Sequence, residues 1–497
     1  MSGQQVDLVR LSEADREIRR IVGELGLEPE EQEFDVVPAA KMLEIMAYRL
    51  PVNYSHWSFG RDYEIERTRY EYGFAVPYEV VFNSRPSRAY LMETNPFAIQ
   101  ALVMAHVYAH NDFMARNRHF APVRRDMLGA AGEAAGRFRR YEERFGAEAV
   151  ERTLDAALSI EWHTAAPGEG YRERRARERP PRPWWEPEGA AGAESGGAAA
   201  GGSGGAYEDL LGRFGPEARG GQAGKRRVPA EPSEDLTGFI LAHSPAGLAP
   251  WQEDILEVVR AQAQYFQPNR RTKIMNEGWA TFWHERVMGR LFAEGLLGPE
   301  EHGLYNLYNA RVKAHNARAV NPYLLGSAVF ERLWAEESRE AGERAALERL
   351  REVRGSYMDW FFLEQYLSRE IAEELGLYRY AERDGGGYVE QVVEETEWQA
   401  VKRELVRSLT TSGVPRITVV DGDYEGSLQL YLRHEWDGLA LEEEYAKRTL
   451  AHIHYLWGRP VYLETRDVKN RKEHTKIIIV DKNGIRTMYP EDMTYDQ

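Results

Sequence analysis

Cysteine is absent from all 497 residues. Disulfides, thiolate zinc sites, iron–sulfur clusters and cysteine nucleophiles are thereby excluded. Any metal must be held by histidine, aspartate, glutamate or carbonyl oxygen. Long apolar runs are missing too. No stretch approaches the roughly 18–20 apolar residues of a membrane span. The N-terminal MSGQQVDLVRLSEADREIRR lacks an apolar core of signal-peptide type. The expectation is a soluble, cytoplasmic protein. Positive charge is in deficit, with 64 Lys and Arg against 80 Asp and Glu. That balance argues against nucleic-acid binding, which needs a basic face.

Length and aromatic residues are plentiful. A chain of 497 residues with 12 Trp and 27 Tyr can bury real cores in two to four domains. Leu8, Leu11, Ile18, Ile21 and Leu25 predict an amphipathic helix over 5–26. A second helix is expected over 34–50, a loop over 54–60, and a charged helix over 61–72. Tyr78–Phe82 and Arg88–Met92 read as short strands about an Asn-Ser-Arg-Pro turn. Asn95 is the expected cap, and Pro96 the first residue, of a helix running to Arg116. Further helices are expected over 126–164, 251–266 (stopped by Pro268), 272–291 and 303–376.

Residues 167–232 are rich in Gly, Ala, Pro, Glu and Arg, and read as a low-complexity linker or insertion. Trp184 and Trp185 within it are expected to tuck against the body. Gly385, Gly386 and Gly387 suggest a joint. Beyond residue 412 the pattern turns to strands at 417–420, 427–433, 461–464, 476–480 and 486–488, with a helix over 441–457. The expected fold class is α+β: a mainly helical core in two parts, 1–165 and 233–380, separated by residues 166–232, and a small α+β module over 412–497.

Two motifs point at chemistry. Met-Ala-His-Val-Tyr-Ala-His-Asn-Asp carries His106 and His110, and Met-Asn-Glu-Gly-Trp-Ala-Thr-Phe-Trp-His carries Glu277 and His284. Histidines four apart on a helix share one face, which is the spacing zinc peptidases use in His-Glu-x-x-His. Asn-Glu-Gly-Trp-Ala resembles the Asn-Glu-Gly-x-Ala of zinc aminopeptidase-type enzymes, whose glutamate is the third zinc ligand. The layout is zincin-like, including a strand ahead of the histidine helix. His106, His110, Glu277 and His284 are the candidate ligands. His284 is alternatively an outer proton-transfer group. Zinc is the expected ion, with iron(II) or manganese(II) as alternatives.

Val107 stands where a zincin helix carries its general-base glutamate. A hydrolytic site therefore needs a base from elsewhere. The candidates are Asp112, Glu71, Glu79 and Glu93, with Asp112 and Glu71 named first as catalytic residues; nothing in the sequence chooses among the four. Asn321-Pro322-Tyr323-Leu324-Leu325-Gly326 reads as a rigid turn before a helix, His434 as a surface residue.

Longer stretches resemble the SpoVR (stage V sporulation protein R) family. They are YSHWSFG (54–60), AYLMETN (89–95), ALVMAHVYAHNDF (101–113), WQEDILEVVRAQAQYF (251–266), TKIMNEGWATFWH (272–284) and NPYLLG (321–326), with LWG (456–458) and VYLE (461–464). The resemblance implies a bacterial cytoplasmic protein linked to spore-cortex formation or stress response. It also implies possible partners, a PrkA-type serine kinase and a von Willebrand A-like protein. Three readings follow: a metal-dependent amide or peptide hydrolase, a non-catalytic regulator or scaffold in a kinase complex, and a non-hydrolytic iron enzyme.

Overall fold

A computed structural model of the protein describes residues 7–72, 79–167, 227–315, 319–384, 389–395, 397–469 and 472–490. In chain order the first elements are α1 (Leu8–Glu24), β1 (Gln32–Val37), α2 (Ala39–Tyr48), α3 (Trp57–Glu71), β2 (Val80–Phe82), β3 (Ser87–Met92), α4 (Phe97–Arg116), α5 (Met127–Phe145) and α6 (Ala147–Ser159). Next come α7 (Leu236–His243), α8 (Pro250–Arg271), α9 (Lys273–Ala293), α10 (Pro299–Val312), α11 (Pro322–Ala341), α12 (Glu343–Ser356), α13 (Asp359–Tyr366) and α14 (Arg369–Glu374). The rest are β4 (Arg379–Asp384), β5 (Val389–Glu395), α15 (Trp398–Thr410), β6 (Ile417–Tyr424), β7 (Gln429–His434), α16 (Glu443–Trp457), β8 (Val461–Lys469), β9 (Lys472–Asp481) and β10 (Gly484–Met488). The class is α+β, helical in the main, with a C-terminal β module. None of the described helices is long and apolar enough to cross a membrane.

Several local expectations change. Residues 34–37 form the strand β1, not a helix, because Pro38 has no N–H and pushes Val37 to extended backbone. The helix starts only after Pro38, as α2. The aromatic stretch at 54–60 is a loop only as far as His56, whose side chain accepts from the Ser58 N–H and caps α3. Pro96 itself, not Asn95, is the residue before α4. Pro268 does not stop α8, which continues to Arg271; a proline in the last turn removes only one helical hydrogen bond. Tyr78, Trp184, Trp185, Gly385, Gly386 and Gly387 lie outside the described residues.

The chain divides into two units, residues 1–136 with 266–413, and residues 137–265 with 414–497. In the first, β1 pairs parallel with β3 (Phe34 opposite Ala89) and β2 pairs antiparallel with β3. The order β1-β3-β2 leaves β2 at an edge. Helix α4 is buried at every residue from Ala98 to Met114. It has no polar face, so it is the central rod of this core, with α1, α9, α10, α12 and β3 packed on it. The histidines thus lie on a helix that is buried on every side.

In the second unit a five-stranded sheet has the order β10-β9-β8-β7-β6, with β7 parallel to β8 and the other pairs antiparallel. The crossover helix α16 packs on β8 and β9. Its last residue, Trp457, is fully buried and stacks with Phe239 of α7 at 5.7 Å.

Helix α9 crosses α11 at Gly278 and Gly326. A Cβ on Gly278 would overlap the Gly326 backbone, and one on Gly326 would overlap the Ile274 carbonyl oxygen. The two backbones touch, so neither residue has room for a methyl group. This gives Asn321–Gly326 a second role besides its turn. Asn321 caps α11 by accepting from the Tyr323 and Leu324 N–H groups, and Gly326 admits α9. Gly278→Ala or Gly326→Ala is expected to lower unfolding free energy by about 1–3 kcal/mol or more through overpacking. Urea denaturation measures it, and Gly289→Ala, which meets nothing within 4 Å, is the control that stays near wild type.

Candidate metal centre

Four side chains converge in the first unit. His106 and His110 come from consecutive turns of α4, with ring centroids 4.5 Å apart. Glu277 comes from the first turns of α9. Glu79 comes from the residue just ahead of edge strand β2. His106 Nε2 lies 3.2 Å from Glu79 Oε1 and 3.5 Å from Glu277 Oε2. His110 Nε2 lies 3.6 Å and 3.4 Å from the same two atoms. One ligand atom from each of the four lies within 4.8 Å of every other. A tetrahedral ion with ligands at 2.0–2.1 Å has edges of about 3.3 Å. The four measured separations bracket that edge. His106 Nε2 and Glu277 Oε2 are buried and make no hydrogen bond, so the atoms that face the centre have no other use. The donor set of two imidazoles and two carboxylates suits a divalent cation such as zinc, iron(II) or manganese(II).

A second layer holds these groups. His110 Nδ1 donates to Asn276 Oδ1 at 2.9 Å. His106 Nδ1 stands 2.7 Å from His284 Nδ1, and His284 Nε2 stands 3.0 Å from Asn309 Oδ1. Both ring nitrogens of His284 are therefore engaged, and it is not among the converging ligand atoms; Glu79 takes the fourth corner instead. Tyr323, in the first turn of α11, lies over the His106 ring at 5.9 Å. Asp359 accepts from the Ile274 and Met275 N–H groups at the start of α9. Burial pushes its carboxyl up to about 7, against those two bonds.

Asn276, Glu277, Gly278 and Trp279 are consecutive, and each does something different. Asn276 orients His110, Glu277 faces the centre, Gly278 admits α11, and the Trp279 indole N–H donates to Asp112 Oδ2 at 3.0 Å. Sequence reading assigned a role only to Glu277.

The structure places Asp112 and Glu71 outside the four. Asp112 is fully buried and saturated: Arg354 Nη1 donates to it at 2.7 Å, the Glu28 N–H at 2.8 Å, and Trp279 as above. Glu71 pairs with Arg67 on the exposed face of α3, and Glu93 is exposed. Val107 is buried in the apolar core. His434 is not a surface residue; it is buried and bonded to Thr465 Oγ1 at 2.9 Å.

Comparison with known proteins places these residues in a described group. A family model described as SpoVR like protein matches residues 5–414, and one described as SpoVR-like C-terminal domain matches residues 415–468. The chain belongs to the SpoVR family. It is 29% identical over 488 residues to the uncharacterized protein YcgB of Escherichia coli (strain K12), covering 90% of each chain. No solved structure matches.

The electrostatics of this SpoVR-family cluster follow from burial. Burial disfavours charge on all four groups, but their mutual contacts outweigh it. The Glu79 and Glu277 carboxyls are held below the usual carboxylate range by the imidazoles of His106 and His110. Against burial, the two carboxylates raise His106 and push His110 up to about 10. Burial and the neighbouring His106 charge hold His284 well below the usual imidazole range. Two carboxylate charges balance one divalent cation, which would replace the two imidazole protons.

Two predictions follow from this SpoVR-family geometry. Cation binding must strip protons that His106 and His110 hold above their ordinary range, so affinity falls as pH falls. The slope is about tenfold per pH unit for the His110 proton through the whole interval from about pH 8 to about pH 6, and steeper wherever His106 is also protonated. Competition with a zinc indicator at each pH measures it; a flat profile contradicts it. Separately, Arg354→Ala strands the buried Asp112 charge and is expected to cost about 3–5 kcal/mol of stability by urea unfolding. A change within about 0.5 kcal/mol would contradict a structural role for the pair.

Proposed function

We propose that this chain is a metal-dependent hydrolase of amide or peptide bonds, serving spore-cortex formation or stress response. The supporting observation is the set of four donor atoms within 4.8 Å of one another, two of them buried without a hydrogen bond. A histidine pair on one helix, a carboxylate on a second helix and an edge strand beside them support a zincin-like reading of this core. His106, His110 and Glu277 would hold the ion, zinc first, iron(II) or manganese(II) next. When bound, such an ion supplies Lewis-acid polarisation of a carbonyl.

Glu79 is the general base in this reading. It replaces, from the edge-strand side, the helix glutamate whose place Val107 occupies. Contact with the two imidazoles keeps its carboxyl in the ionised form. His106 and His110, fixed through their Nδ1 atoms, keep both Nε2 atoms aimed inward.

A second reading has its own support. Glu79 stands as close to the histidines as Glu277 does, and four protein ligands make a closed, structural site. The chain would then be a regulator or scaffold, acting with a PrkA-type kinase and a von Willebrand A-like partner. One substitution separates the two. The test incubates the zinc-, iron(II)- or manganese(II)-loaded protein with a defined peptide mixture, read by mass spectrometry. As a hydrolase, the wild type cleaves, and Glu79→Gln keeps its ion within a few fold while losing about 10²–10⁴ in rate. No cleavage with any ion, together with loss of the ion in Glu79→Gln, rejects hydrolysis and favours the closed site.

A further inference from the structure

We propose that His284 and Asn309 are positioning residues: they hold His106 in the one tautomer whose Nε2 lone pair faces Glu79 and Glu277. The inference rests on the metal reading above and names what makes the first ligand competent.

The direction of each hydrogen bond follows from the outer end inward. Glu285 Oε1 receives Lys313 Nζ at 2.9 Å and Asn309 Nδ2 at 2.7 Å. A carboxylate only accepts, so the Asn309 amide nitrogen must face Glu285 and its oxygen must face His284. That oxygen only accepts, so the hydrogen lies on His284 Nε2, 3.0 Å away. His284 is 2% exposed and neither of its ring nitrogens meets a carboxylate, so nothing stabilises a second proton on it. Its Nδ1 is bare and accepts from His106 Nδ1 at 2.7 Å. A neutral His106 with its hydrogen on Nδ1 carries its lone pair on Nε2. That is the atom 3.2 Å from Glu79 and 3.5 Å from Glu277.

The same logic runs backwards. Without the Asn309 oxygen, His284 is free to carry its hydrogen on Nδ1. His106 must then accept at Nδ1 and place its own hydrogen on Nε2, where it blocks ligation. Asn309 sits on α10 and touches none of the four converging groups, yet it decides which nitrogen of His106 is available. Metal-binding histidines ordinarily give their second N–H to a carboxylate, carbonyl or water. Here the acceptor is another histidine, which works only while a third residue fixes that histidine's own tautomer. His110 has the simpler support of Asn276 Oδ1, which accepts directly.

The test is zinc affinity of the full-length protein by competition with a colorimetric indicator, with thermal melting in zinc-free buffer as the folding check. Asn309→Leu is expected to weaken zinc binding about 10–100-fold while the zinc-free melt stays near wild type. His284→Leu is expected to weaken it at least as much. His284→Asn keeps an acceptor oxygen near the Nδ1 position and is expected to recover most of the loss. If His284→Leu does not fold, Asn309→Leu, part-exposed on α10, decides alone. Wild-type affinity in Asn309→Leu overturns this inference and leaves the metal centre standing. Absence of zinc binding by the wild type overturns both.

Discussion

Two buried imidazoles meet two part-buried carboxylates at an apolar core, and most of the first unit is arranged around that fact. Left apart, each group would lose its hydration for nothing. With each imidazole 3.2–3.6 Å from both carboxylates, they cancel charge among themselves or around a cation. The arrangement needs a helix buried on every side, and α4 is one. It needs a second helix close enough to reach the first, and α9 is held there between α4 and α11. The glycine crossing of α9 and α11 and the buried Asp112–Arg354 pair are therefore supports of the same centre. One lets backbones touch and the other ties α4 to α12 while receiving Trp279 from α9.

This explains why chemistry-bearing and structural residues are interleaved so tightly along the chain. In Asn276-Glu277-Gly278-Trp279 no side chain can be exchanged for its neighbour. In His110-Asn111-Asp112 the first residue faces the centre and the third holds the fold. Asn111, between them, accepts from the Glu30 N–H and donates to the Glu30 carbonyl, tying down the segment that leads into β1. Polar residues next to a site are easily taken for catalytic ones; their hydrogen-bond partners decide.

Much of this was legible in sequence. The spacing of His106 and His110 put both on one helix face, and Glu277 was chosen by motif; all three converge. The α+β class and the C-terminal strands also followed from periodicity and turn chemistry. What stayed hidden was non-local. Glu79 was one of four candidate bases with no motif to single it out; it lies 27 positions before His106 and joins the centre through the pairing of β2 beside β3. Asp112 was a candidate base two residues after His110, but its partner Arg354 is 242 residues away. His284 follows Glu277 by seven residues on α9, yet its ring meets His106 and Asn309 and is not part of the cluster. Residues 34–37 differ from the expected helix because Pro38 sets the helix start at Ala39.

X-ray absorption at the metal edge of protein purified without an affinity tag tests the central claim most directly. The geometry predicts a bound first-row divalent ion with four nitrogen or oxygen neighbours at about 2.0–2.1 Å, including the outer-shell signature of two imidazoles. That signature should vanish in His106→Ala. A protein free of metal, or an ion surrounded only by water-like oxygens and unchanged in that variant, would contradict it.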